Sequence, residues 1–126
     1  MEFNHTQAIY LQIAEYVCDR IQSGQWAPED RVPSVRELAV DLEVNPNTVM
    51  RAYEYLQQQE IIYTRRGLGY FVGADAVRKL KKIRSEQFFR EELPQLFRKI
   101  ALLDIAWDEL GKQYEQFRRK EAGKNR

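Results

Sequence analysis

Asn47, Thr48 and Arg51 fall on the outer side of any helix whose inward positions are Val49, Ala52, Tyr53 and Leu56. Short polar groups with one guanidinium, set at the start of a helix, are of the types that reach base edges or phosphates in a DNA major groove. A second group follows at Arg65, Arg66, Gly67 and Gly69. Here glycines let backbone approach a phosphate closely, while arginines supply charge or enter a narrow minor groove. Catalysis has no comparable foundation. The chain holds one histidine, His5, and one cysteine, Cys18. There is no Ser/His/Asp arrangement, phosphate loop or pair of carboxylates in a plausible cleft, so an enzyme is not expected. No histidine metal cluster or intrachain disulfide can be built, no cofactor is expected, and Cys18 reads as a small core filler.

Residues 33–55, PSVRELAVDLEVNPNTVMRAYEY, must position the first group. Ser34 and Glu37 form the capping box Ser-x-x-Glu, in which each side chain satisfies the other's backbone amide. Val35, Leu38, Ala39 and Leu42 then make one apolar stripe and leave Arg36, Glu37, Val40 and Asp41 toward solvent. Asn45 is a favoured N-cap, and Pro46 suits the first helical position of a second helix. Only residues 43–45 connect the two. A helical pair of this kind is also ordinary core architecture, so its neighbours decide the reading.

Upstream, Ile9, Tyr10, Ile13, Val17 and Ile21 predict an amphipathic helix from Gln7, closing at Ser23 and Gly24, with Phe3 placed to tuck onto the domain. Residues 25–33 read as a loop anchored by Trp26 or Val32. Downstream, residues 61–63 and 70–72 predict two strands around a glycine-containing turn. Three helices followed by a hairpin make a winged helix-turn-helix, which brings the wing's Arg65 to Gly69 beside the second helix of the pair.

The net charge of +1 divides unevenly. Residues 1–73 hold 6 Lys+Arg against 10 Asp+Glu, and the remainder holds 14 against 9. Affinity for DNA must therefore come from a few placed arginines plus help from outside the segment. No run approaches the roughly 18 apolar residues of a membrane span, and the N-terminus lacks a signal pattern; a soluble, cytoplasmic protein is expected.

From Asp75, a suitable cap, a further helix is predicted with Val77, Leu80 and Ile83 along one side. Arg78, Lys79, Lys81, Lys82 and Arg84 lie between them. Such a run is ordinarily a solvated face, but directly after the wing it is placed to meet flanking phosphates. Pro94 is expected to break the pattern at residues 91–94. Leu96, Ile100, Leu103, Trp107, Leu110, Tyr114 and Phe117 then alternate steps of four and three, a heptad-like seam. Two such helices cannot make an independent core, so the seam is expected to pair with a second copy of itself. Residues 118–126 are expected to fray.

The residues Pro33, Ser34, Arg36, Glu37, Leu38 and Ala39, then Val44, Asn45, Thr48, Val49, Ala52, Tyr53 and Leu56, then Gly67, Gly69, Phe71 and Val72 resemble the N-terminal domain of GntR-family transcriptional regulators. Tyr10, Gln12, Ile13, Gly24 and Pro28 fit the same pattern, so the resemblance spans residues 1–73. It implies DNA contacts by Ser34 and Arg36, by Asn45, Asn47 and Thr48 at the start of the recognition helix, and by a wing at Gly67 and Gly69. Many members carry arginine where this chain has Pro46, which leaves Arg51 and the asparagines as readers. Asn-Pro-Asn-Thr-Val resembles the YtrA subgroup, whose members have only a short helical tail.

The expectation is a mainly α protein with a small β-hairpin. A winged helix-turn-helix fills residues 1–73, and a two-helix dimerisation segment fills residues 74–126. Its partner is double-stranded DNA, and its function is to regulate transcription, as a homodimeric repressor reading an inverted-repeat operator, since two copies roughly double the free energy of recognition. The tail leaves little room for a small-molecule effector beyond the seam near Trp107. The alternative is a winged-helix module that binds protein without DNA, which the acidic N-terminal balance favours.

Overall fold

A computed structural model describes residues 1–124. In order they form α1 (Ile9–Gln22), α2 (Val35–Leu42), α3 (Pro46–Gln58), β1 (Ile62–Arg65), β2 (Gly69–Val72), α4 (Ala76–Gln87), a π-helical turn (Phe88–Glu92), α5 (Leu93–Leu102) and α6 (Trp107–Lys124). The chain divides into two units between Arg84 and Ser85. None of the described helices is long and apolar enough to cross a membrane.

In the first unit, local hydrogen bonds place each helix. Ser34 Oγ accepts from the Glu37 amide at 3.1 Å, and Glu37 Oε1 accepts from the Ser34 amide at 3.2 Å, completing the expected capping box. Asn45 Oδ1 accepts from the Asn47 amide at 2.8 Å, with Pro46 in the first turn of α3. Between them Glu43 takes a left-handed φ of 56°. That bend lets the Val44 amide reach the Ala39 carbonyl at 3.0 Å, which closes α2 and starts α3 within three residues.

The capping box holds the Glu37 carboxyl below its usual range, first through the Ser34 side chain and backbone hydrogen bonds. A group depressed in this way adds stability above its unfolded pKa and loses it as pH falls through the lower folded value. Acid titrations followed by circular dichroism are therefore expected to show a smaller stability difference between the protein and Glu37→Gln at pH 3 than at pH 7. An equal difference at both would contradict the box as the source.

The core joins Ile13, Val17 and Ile21 of α1 to Leu38 of α2, and to Val49, Tyr53 and Leu56 of α3. Tyr53 donates to the Pro33 carbonyl at 2.7 Å and meets the Tyr70 ring edge-on at 4.9 Å, tying the entry of α2 to the wing. Ile9, expected inward, is exposed, while Gln12 is buried. Its amide grips the lead-in through the Asn4 amide and carbonyl and the Gln7 carbonyl. Phe3 packs on the core as expected. Cys18 is buried, and burial pushes its thiol up to about 12, outweighing the opposing effect of Arg84. The native protein is expected to resist iodoacetamide at pH 8 and to react fully in denaturant; ready labelling of the native state would contradict this.

β1 and β2 pair antiparallel, with Ile62 opposite Val72 and Arg65 opposite Gly69. The expected loop at residues 25–33 does more than connect. Arg31 bridges Phe71, the Val32 amide donates to the Tyr70 carbonyl at 2.9 Å, and the Val72 amide donates to the Asp30 carbonyl at 2.9 Å. This is a single β-bridge that lays the loop along the outer edge of β2. Pro28 and Pro33 mask it in the sequence, because each removes a donor at its flanks. Val32, 1% exposed, is the main anchor, with Trp26 partly buried beside it.

α4 belongs in part to this core. Ala76 and Leu80 are buried in it, so the unit runs to Arg84 rather than stopping at Gly73. Its basic run is only partly free. Lys79 pairs with Glu60 at 3.1 Å, Arg84 with Glu15 at 3.0 Å and Asp19 at 2.9 Å, and Arg78 with Asp75 at 3.6 Å. Lys81 and Lys82 make no ion pair among the described residues.

The second unit corrects two expectations. Pro94 does not break the helix at residues 91–94; the Leu93 amide reaches back five residues to the Phe88 carbonyl, and this wider π turn accommodates the ring that an α turn would crowd. The break comes later. Asp104 takes a φ of 52°, its amide reaches the Ala101 carbonyl, and the Ile105 amide reaches the Ile100 carbonyl at 3.1 Å. This motif ends α5 inside the heptad seam, so Leu96 and Ile100 lie on α5, Leu103 at its C-cap, and Trp107, Leu110, Tyr114 and Phe117 on α6. Phe97 and Trp107 then meet at 6.2 Å between ring centroids. The end expected to fray is helical to Lys124; Asn125 and Arg126 lie outside the described residues.

Candidate nucleic-acid interface

The start of α3 presents Asn45, Asn47, Thr48 and Arg51 along one shallow cleft, whose other wall is Ala8, Ile9 and Tyr10 at the start of α1. The Arg51 guanidinium lies over the Tyr10 ring at 4.0 Å, and Tyr10 in turn meets Tyr55 edge-on at 6.2 Å. Stacking of this kind restrains a long side chain without spending its hydrogen-bond donors. The side-chain oxygen of Asn45 is engaged by its cap, which leaves its amide NH2 to donate. Ser34 Oγ likewise accepts within the capping box and keeps its O–H to donate.

Arg36 projects from α2, exposed, beside Val40, Val44 and Pro46. It makes no hydrogen bond or ion pair among the described residues.

The wing sorts its two arginines. Arg65 pairs with Glu29 at 3.5 Å, donates to the Tyr63 hydroxyl at 3.1 Å and lies over the Phe71 ring at 4.8 Å. Tyr63 itself donates to Glu29, which raises its phenol above the ordinary value. Arg65 is therefore built into the hairpin rather than held out from it. Arg66 sits exposed in the turn and has no ion pair among the described residues. The turn closes through the Leu68 amide on the Arg65 carbonyl at 2.9 Å, with Gly67 at φ 77° in its third position, a conformation that favours glycine. At Gly69, φ is 110°, and a Cβ would sit 3.2 Å from Arg31 Nε. The bare backbone is what lets the Arg31 guanidinium lie across the wing on its way to Glu37, 3.8 Å away. Nothing local in the sequence marks Arg31, since only its β-bridge to Phe71 brings it to Gly69.

Charge follows the same division. Of the six arginines in residues 1–73, Arg31 and Arg65 are paired with carboxylates and Arg20 stacks on Tyr16. Arg36, Arg51 and Arg66, one each from α2, α3 and the wing, have no ion pair among the described residues. The acidic residues are met instead from α4, and residues 1–84 hold 11 Lys+Arg against 11 Asp+Glu. The acidic balance of residues 1–73 thus disappears at the level of the folded unit.

In the second unit, α5 and α6 contain no buried residue. Leu96 and Leu103, and Trp107, Tyr114 and Phe117, are exposed; Ile100 and Leu110 are partly covered. Leu102, 84% exposed, and Phe97 widen this apolar surface beyond the seam.

Residues 9–72 match the model of the bacterial regulatory proteins of the gntR family. The HTH-type transcriptional regulator YhcF of Bacillus subtilis is 35% identical over 111 residues, covering 86% of this chain and 88% of that protein. The HTH-type transcriptional repressor YtrA of the same organism is 39% identical over 88 residues, covering 70% and 67%. Among solved structures, a transcriptional regulator of the GntR family from Bacteroides thetaiotaomicron superposes with a TM-score of 0.75 at 49% identity, covering 90% of this chain and 99% of that one.

Proposed function

Because the chain belongs to the gntR family of bacterial regulatory proteins, DNA-binding transcriptional regulators of which YtrA is a relative, we propose that it is a repressor that binds an inverted-repeat operator as a homodimer. The observation that carries this is the placement of three exposed arginines that make no ion pair among the described residues, Arg36 on α2, Arg51 on α3 and Arg66 on the wing. Asn45, Asn47 and Thr48 supply hydrogen bonds to base edges between them, Ser34 and the backbone at Gly67 and Gly69 contact phosphates, and Arg65 stiffens the wing.

Dimerisation follows from α5 and α6. An apolar surface this large on helices that bury nothing themselves needs a second protein surface, and an identical copy also sets two recognition helices on one duplex. The cleft along Trp107, Gly111 and Tyr114 is open, which suits a partner helix better than a small-molecule effector. Repression is the role of the relative YtrA, and blocking polymerase at an operator needs no part beyond those described. The protein-binding alternative loses its support once α4 balances the acidic residues.

Selection of duplexes from a randomised pool by the full chain tests the proposal. An inverted repeat should emerge, and the logarithm of the binding constant should fall with the logarithm of salt at a slope of roughly −3 to −5. Absent or salt-insensitive binding would overturn it.

A further inference from the structure

Where α2 meets α3 the outer surface carries an apolar cleft, formed by Ala39, Val40, Val44 and Pro46 with Arg36 at its edge. Val40 is 76% exposed on the solvent side of α2, among neighbours that are otherwise charged there. Pro46 stands between Asn45 and Asn47 in the first turn of α3. The cleft thus adjoins two parts of the proposed DNA surface, Arg36 at its edge and Asn45 and Asn47 on either side of its Pro46 in the chain. A duplex contacting both passes over it.

The floor of the major groove offers one apolar group, the C5 methyl of thymine; every other feature there is a hydrogen-bond donor or acceptor. We infer that this cleft is a thymine-reading subsite, with the methyl seated against Pro46, Val44 and Val40 while Arg36 contacts the adjoining base or phosphate. The inference rests on the DNA-binding proposal and adds a specificity to it. Where an arginine at position 46 would select a base by its acceptors, the proline ring selects by a methyl group and rejects a cytosine, which presents an amino group and no methyl.

The test uses the full chain and a duplex selected from a randomised pool. Each thymine is replaced in turn by deoxyuridine, which removes the methyl and nothing else. One symmetry-related pair of positions should bind about fourfold more weakly per methyl lost, the worth of one buried carbon at about 0.8 kcal/mol. Val40→Ser and Pro46→Ala should each shrink that difference toward unity while leaving the salt slope and the response to deoxyuridine elsewhere unchanged. Val40 is exposed, so its variant is expected to keep the wild-type Tm, which is measured alongside. Equal binding of thymine and deoxyuridine at every position would overturn the subsite, as would a difference that persists in both variants. A selected duplex that binds in a salt-dependent way with neither effect overturns the subsite alone; failure to select or bind any duplex overturns the DNA proposal with it.

Discussion

Arg36→Ala is expected to weaken binding to a selected inverted-repeat duplex by tenfold or more while leaving Tm unchanged. The two halves of that result have separate causes. An arginine contact to a base edge is worth about 1–3 kcal/mol, and a dimer loses two of them. Stability is spared because the side chain is exposed, has no partner among the described residues, and is replaced by the best helix former. Gel-shift or fluorescence titration beside a thermal melt reads both. Arg65→Ala makes the useful contrast, since its links to Glu29, Tyr63 and Phe71 put its loss into the hairpin, and Tm should fall measurably. If Arg36→Ala binds like the parent protein, the proposed contact at α2 is wrong.

Replacing Trp107 and Phe117 together by glutamate should turn a dimer into a monomer of 15.0 kDa in sedimentation equilibrium. These side chains are 62% and 58% exposed on a helix with no buried residue, so the change costs the protomer little. In the dimer each covered aromatic contributes about 1.5–3 kcal/mol, and paired carboxylates facing each other would reverse the sign. DNA affinity should fall with dimerisation, because one winged unit reads only half a site. A chain ending after Arg84 should also be a folded monomer, since it keeps Ala76 and Leu80 in the core. Cutting at Val72 would instead open that core, so it is the wrong control. Should the full chain itself sediment as a monomer, the apolar faces of α5 and α6 serve something other than self-association.

Much of the proposed DNA surface was legible because its signals are short-range. Ser34 caps through a residue three positions away and Asn45 through one two positions away, so reading a few residues suffices to place α2, α3 and the outward positions Arg36, Asn47 and Thr48. The glycines at positions 67 and 69 mark the wing for the same reason. Helix ends were less legible where nature used a residue other than glycine. Glu43 and Asp104 both hold left-handed conformations, and at Asp104 the unbroken apolar periodicity concealed the turn.

By itself the sequence determined the helical pair, its caps, the hairpin and the outward positions of α2 and α3, all consequences of hydrogen bonds and periodicities spanning a few residues. Only the tertiary structure decided which of the outward arginines are free. That depends on pairings across long chain separations: Arg84 with Glu15 and Asp19, Arg65 with Glu29, Arg31 over Gly69, Arg51 on Tyr10. Charge acts through space, so a count along the chain reports an acidic segment, while the folded unit, with α4 laid against it, holds equal numbers of acids and bases and leaves Arg36, Arg51 and Arg66 exposed and without an ion pair among the described residues.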